Sequence, residues 1–222
     1  MNEKVVELKN ISKTFHQPHE TEILSNVCLT VHKGETIAIS GLSGEGKSTL
    51  LHLIGLLEAP TSGDIFYGGK SYKRSSLTDL RREYIGFIFQ GFYLLEEETV
   101  LSNVLMPAKI AKRPTGPKSD AYKRCIKLLD EVGLSDRIDY PAKLLSGGEK
   151  QRVAIVRAFC NDPPLILADE PTGNLDQTHS EAIQNLLINC CKKLGKSLIL
   201  VTHDHSFADL CEKQYYLKNK TI

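Results

Sequence analysis

Apolar residues fall into two rhythms along this chain. Val6 and Leu8 alternate with polar neighbours, as do Val27, Leu29 and Val31, and a period of two predicts half-buried antiparallel strands. The loop expected between them holds Phe15, His16, Pro18 and His19. Residues 36–40, 85–90, 165–170 and 197–202 are nearly continuous apolar runs instead, as expected of buried strands in an α/β sheet. Helical spacing follows several of them. Leu50, Leu51, Leu53 and Ile54 form one apolar face, and Leu77 with Leu80 marks a short helix. Tyr122, Cys125, Ile126, Leu129 and Val132 line another, stopped by Gly133. Ile183, Leu186, Leu187, Cys190 and Leu194 line a third, stopped by Gly195. Residues 94–118 keep no clean period and carry Pro107, Pro114 and Pro117. With the helix that follows, they read as a helical insertion between halves of the sheet. Residues 207–211 suggest a short helix, and 214–222 a terminal hairpin turning at 218–220.

The sharpest chemistry lies where the run 36–40 meets Gly41-Leu42-Ser43-Gly44-Glu45-Gly46-Lys47-Ser48-Thr49. Strand, glycine loop and helix in that order match G-x-x-x-x-G-K-[ST], whose backbone N–H groups cradle phosphates. Glycines let the backbone approach an anion closely, and the helix beginning near Lys47 adds its positive end. Lys47 is placed to reach β- and γ-phosphates, with the Ser48 hydroxyl on Mg²⁺.

Other residues are legible relative to that loop. Phe15 is either an apolar loop edge or a platform for a nucleotide base. Gln90, ending a central strand, either caps the ladder or faces a ligand at the strands' carboxyl ends. Ser146-x-x-Glu149 is a capping box, and Gly147 and Gly148 in its first turn permit close approach to a second helix N-terminus. Asp169 and Glu170 end a buried strand. Successive strand side chains point opposite ways, so the two serve different roles: Asp169 in the Mg²⁺ shell, Glu170 on an attacking water. His203 ends the next strand, within reach of a γ-phosphate.

Charge and cysteine content narrow the class. Lysine and arginine number 28 against 27 aspartates and glutamates, so no net field draws the chain to nucleic acid or membrane. Six cysteines, at 28, 125, 160, 190, 191 and 211, form no C-x-x-C pair and suit packing in a reducing compartment. Met1-Asn2-Glu3-Lys4 has no signal-peptide apolar core, and no run approaches a membrane span. A cytoplasmic protein is expected.

Taken in order, these motifs resemble the nucleotide-binding subunit of ABC transporters from Val5 onward. The matching stretches are Walker A at 41–49, the Q-loop Gln90, and the signature at 145–149 followed by Lys150-Gln151-Arg152. Walker B at 165–170, the D-loop Gly173-Asn174-Leu175-Asp176 and switch His203 complete the set. The loop alone is less specific than the ordered set.

The resemblance implies a P-loop α/β fold with a mostly parallel central sheet. It also implies an N-terminal antiparallel β subdomain and an inserted helical subdomain at about 92–160, all within one domain spanning 1–222. It implies a head-to-tail dimer, ATP lying between Gly41–Thr49 of one copy and Ser146, Gly147 and Gly148 of the other. Phe15 then stacks on adenine, Asp176 is among the nucleotide contacts, and Mg²⁺ is held by Ser48 with Gln90 and Asp169. Lys47, Gln90 and His203 surround the γ-phosphate, and Glu170 acts on water. The implied partners are integral membrane subunits that hold the chain on the inner face of the membrane, with no nucleic acid and no span of its own.

Residues 51–57, 60–63, Leu94-Leu95 with Asn103-Val104 and Met106-Pro107, and 169–176 are most similar to the branch serving lipoprotein-releasing and macrolide-export membrane subunits. Departures are Glu45 in place of a small residue, Glu96-Glu97-Glu98 in place of a proline-containing segment, and Lys150 in place of arginine. Glu45 is expected to point away from the phosphates. Alternatives are export of a drug or peptide, a cell-division complex, and a soluble ATPase acting on ribosomes or DNA. The last needs a second cassette, a coiled coil or a zinc module, for which 222 residues leave no room. Glu170 and His203 together argue against a module that only binds nucleotide.

Overall fold

The computed structural model describes residues 3–16 and 19–222, so Met1, Asn2 and Pro18 of the reading above lie outside it. Strands β1 (Lys4–Phe15) and β2 (Thr21–His32) pair antiparallel, with Val6 opposite Val31, Leu8 opposite Leu29 and Ile11 opposite Val27. Phe15 is therefore the last strand residue, opposite Thr21, and not part of the loop. Strands β4 (Ser62–Tyr67) and β5 (Lys70–Ser71) complete a four-stranded sheet in the order β2-β1-β4-β5.

The second sheet holds β3 (Thr36–Ser40), β6 (Ile85–Ile88), β7 (Leu165–Asp169), β8 (Ser197–Val201) and β9 (Lys213–Tyr216). Its order is β6-β7-β8-β3-β9, with every pairing parallel. Alternate side chains feed two cores. Ile37, Ile39, Leu165, Leu167, Ile199 and Val201 pack with α1 (Lys47–Ile54) and the antiparallel sheet. Ala38, Ile166, Ala168, Leu198 and Leu200 face the helices α3 (Val100–Ile110), α4 (Asp120–Glu131), α5 (Gly147–Ala158) and α6 (Gln177–Leu194). Burial on both faces is why these strands read as unbroken apolar runs.

Two elements depart from the sequence reading. The stretch without a period contains α3, which carries Pro107 in its last turn. Asn103 is buried on that helix, its side chain bonded to the backbone of Leu95 and Thr99, so a polar residue occupies a core position and spoils the pattern. At the C-terminus β9 lies parallel to β3, Ile39 opposite Tyr215, and only a bridge between Lys218 and Thr221 remains of a hairpin. Leu77 and Leu80 open on α2 (Leu77–Tyr84), and His205–Ala208 forms α7. Five of the six cysteines are buried, Cys28 is exposed, and none is paired.

Candidate nucleotide site

The carboxyl ends of β3, β6, β7 and β8 converge on one edge of the parallel sheet, where open α/β folds bind ligands. The loop after β3 turns on Gly46, whose φ is +98° and where a Cβ would stand 2.5 Å from Ile23 Cγ2. No other residue type fits there. Gly46 also caps α1 without a side chain, so the first N–H groups of the helix are left without an internal acceptor. Lys47 Nζ donates to the Gly41 and Leu42 carbonyls, both at 2.9 Å, which folds the ammonium across the loop.

Ser48 Oγ donates to Asp169 Oδ1 at 3.0 Å. Asp169 ends β7, and burial pushes its carboxyl above the ordinary range against the pull of Ser48, His52 and Lys47. The next residue breaks the strand: Glu170 has φ +44°, and its N–H donates to the Val201 carbonyl at 2.9 Å. The adjacent carboxylates therefore part company. Glu170 Oε2 lies 2.9 Å from Nδ1 of His203, just beyond β8. Gln90 follows β6 by two residues; its carbonyl accepts from Asn174 Nδ2 at 2.9 Å, and its amide nitrogen lies 3.0 Å from a Cβ built on Gly173.

One cleft collects Phe15, Ser43, Gly44, Gly46, Lys47, Ser48, Thr49, Gln90, Glu170 and His203. Asp169 sits behind Ser48. Phe15 is 38% exposed, and Lys13 Nζ lies 4.6 Å from its ring centroid, held there by Glu58 (3.0 Å) and the Ala59 carbonyl (2.9 Å). Among the described residues, Gly41, Leu42, Glu45, Ser146, Gly147, Gly148 and Asp176 do not line this cleft. Glu45 Oε2 accepts from the Leu42 N–H at 2.8 Å, a brace across the back of the loop. Ser146 caps α5, and the capping box with Glu149 is complete. Ser146 and Gly147 are exposed, and Gly148 stands against the ring of His179, which pairs with Asp176 at 2.7 Å.

The donors suit a hard cation completed by phosphate oxygens: one hydroxyl, one carboxylate and one amide. Among the described residues no group of three or more His, Cys, Asp or Glu side chains is arranged to hold a metal. Sequence reasoning missed His52, whose Nε2 lies 3.9 Å from Asp169 Oδ2. It follows Ser48 by one helical turn, and that spacing is the signal that finds it. Lys13 was missed because its partners lie more than forty residues away.

Comparison with known proteins agrees with this geometry. A family model described as "ABC transporter" matches residues 24–173. The lipoprotein-releasing system ATP-binding protein LolD of Protochlamydia amoebophila is 46% identical over 215 residues, covering 97% of this chain and 94% of that protein. LolD of Rickettsia conorii is 42% identical, covering 100% and 99%. Among solved structures, the dimeric post-hydrolysis state of the ATP-binding cassette MJ0796 bound to ADP and Pi superposes with a TM-score of 0.85 at 38% identity, covering 98% of this chain and 96% of that one. Clostridium perfringens cbiO1, part of the ABC transporter complex cbiONQ, gives 0.85 at 28% identity, covering 99% and 86%.

Proposed function

The chain belongs to the ABC transporter family and is an ATPase of it, and from that premise we propose that it powers release of lipoproteins from the cytoplasmic membrane. The function named for its relatives over nearly their full length supports this choice within the family. One observation carries the mode of action. The cleft gathers the phosphate loop, Gln90, Glu170 and His203 on one side, while the exposed Ser146-Gly147 turn of the same chain stays outside it. A second copy, head to tail, supplies the missing wall, and two helix N-termini then face one triphosphate.

In that sandwich Phe15 stacks on adenine, and Asp176 lies at the joint between copies. Lys47 leaves the Gly41 and Leu42 carbonyls for phosphate oxygens. Ser48, with Asp169 and Gln90, would hold Mg²⁺, which neutralises charge on the β- and γ-phosphates when bound. Glu170, held by His203, takes the proton of the attacking water as its oxygen bonds to the γ-phosphorus and the bond to the bridging oxygen breaks. His203 steadies the γ-phosphate oxygens. Residues of about 92–160 act as the helical subdomain that presents the signature turn.

Among the described residues no helix is long and apolar enough to cross a membrane, so attachment to the inner face falls to membrane subunits. A groove beside β6, lined by Phe87, Phe89, Met106, Ile110, Arg81 and Arg157, is the seat we assign to their cytoplasmic segment. Affinity purification of the tagged chain from detergent-solubilised membranes tests the whole reading. A co-purifying membrane protein with few spans and a large extracytoplasmic domain supports it. A many-span permease moves the chain to another transporter branch, and ribosomal or DNA-repair proteins alone remove the transport function.

A further inference from the structure

The first turn of α5 holds two glycines and would be a weak helix start on its own, so its position depends on what straps it down. Residues 91–98 run beside α5 from end to end. At the far end Arg157 donates to the carbonyls of Tyr93 and Phe92, at 2.6 and 2.7 Å. At the near end Lys150, one turn into the helix, donates to both carboxylate oxygens of Glu96, at 2.8 and 3.2 Å. The backbone there is fastened as well, the Lys143 N–H donating to the Glu96 carbonyl at 3.0 Å. Lys150 is only 17% exposed. The strap starts at Gln90, itself tied to Asn174, so one stretch of chain connects the cleft to the signature turn.

Glu96 and Lys150 lie 54 residues apart in the chain, and they meet each other. A lysine is a compact point charge that a single carboxylate satisfies, whereas arginine's fork seeks paired acceptors. The geometry points to Glu96 and Lys150 as a matched positioning pair for ATP hydrolysis, fixing the Ser146-Gly147-Gly148 turn relative to Gln90. Neither touches the reacting atoms. The inference rests on the reading of that turn as the contact to the second copy's nucleotide.

Full-length Glu96→Gln, Lys150→Met, the double variant and the exchanged pair Glu96→Lys with Lys150→Glu are compared in two assays. These are steady-state ATPase, and ATP-dependent dimerisation in a Glu170→Gln background. Partly exposed ion pairs have small effects, so each single variant loses about two- to five-fold in kcat and in dimer affinity. The double variant loses no more than the worse single, and the exchanged pair regains most of the loss. Thermal midpoints stay within a degree or so of the parent. Glu97→Gln with Lys143→Met, removing the neighbouring and more exposed pair, leaves both assays at parent values. Parent activity in the single variants, losses that multiply in the double, or no rescue by exchange overturns the inference. If Glu170→Gln alone forms no ATP-dependent dimer, the sandwich reading falls and takes the pair's role with it. If that dimer forms but ignores Glu96 and Lys150, only the pair's role falls.

Discussion

Glu170 and His203 meet across the ends of two adjacent parallel strands, carboxylate oxygen to imidazole nitrogen at 2.9 Å. The glutamate is mostly covered and the histidine is 74% exposed. Their meeting depends on the left-handed backbone at Glu170, an uncommon conformation for a residue with a Cβ. That turn takes Glu170 off the strand while Asp169 stays on it, bonded to Ser48. Two neighbouring carboxylates thereby acquire separate partners.

Glu170→Gln keeps the side chain's shape and removes its basicity. Hydrolysis should fall by roughly 10²–10⁴-fold, the range for loss of a general base, while ATP binding persists and a dimer accumulates. Single-turnover ATPase and size-exclusion chromatography with and without ATP read both. Hydrolysis at the parent rate would remove Glu170 from the mechanism.

Asp169 gives a pH dependence of definite sign. Its carboxyl sits above the ordinary range because it is buried. The folded state then holds that proton more tightly than the unfolded one. Its contribution to stability is fullest below the unfolded value and is lost as pH rises through the raised one. Compared by thermal melts without nucleotide, the parent should lose stability relative to Asp169→Asn as pH rises from about 4, the other carboxylates being common to both. If Asp169 completes the cation's shell as proposed, the same variant should bind ATP equally well with Mg²⁺ or with chelator.

Much of this arrangement was legible because it is local. The phosphate loop is contiguous, the capping box spans four residues, and strands buried on both faces announce themselves as apolar runs. What escaped is non-local. Whether Phe15 ends a strand is decided by its register with Thr21, and β9 finds β3 across most of the chain. Lys13 reaches Glu58 through folding alone. The helix through Pro107 was hidden because buried Asn103 breaks the apolar face.

Phe15 and Lys13 should separate base recognition from phosphate recognition. Removing the ring in Phe15→Ala should raise KM for ATP about ten-fold or more, the measured worth of one base–aromatic stack being about 1–3 kcal/mol. Binding of inorganic triphosphate should not change. Lys13→Met withdraws only the cation behind the ring, worth about 0.5–1 kcal/mol at an exposed site, and should raise KM a few-fold. An equal effect of Phe15→Ala on triphosphate would mean that the ring supports the loop and not the base.

Glu45 braces the loop through the Leu42 N–H, and its charge is within electrostatic range of the phosphates that the loop is proposed to hold. Glu45→Ser should lower stability by up to about 1 kcal/mol for the lost hydrogen bond and tighten ATP binding about two- to five-fold by removing the repulsion. Calorimetric titration and thermal melts give opposite signs if both effects operate. Weaker binding would show that the brace, and not the charge, dominates.

The groove beside β6 should be separable from the chemistry. Ile110 lies on its wall and is 61% exposed, so a charge there costs the fold little. Ile110 is the last residue of α3 and takes no part in the nucleotide cleft. A carboxylate at that position would remove apolar contact from the groove while leaving Arg157 strapped to Phe92 and Tyr93. Ile110→Glu should therefore keep the ATPase rate of the isolated protein within about two-fold, as a surface substitution away from the site does. It should fail to retrieve the membrane subunit from solubilised membranes, where the parent succeeds. Retrieval at the parent level would place the membrane contact elsewhere on the surface, and loss of basal ATPase would show that the groove supports the cleft directly.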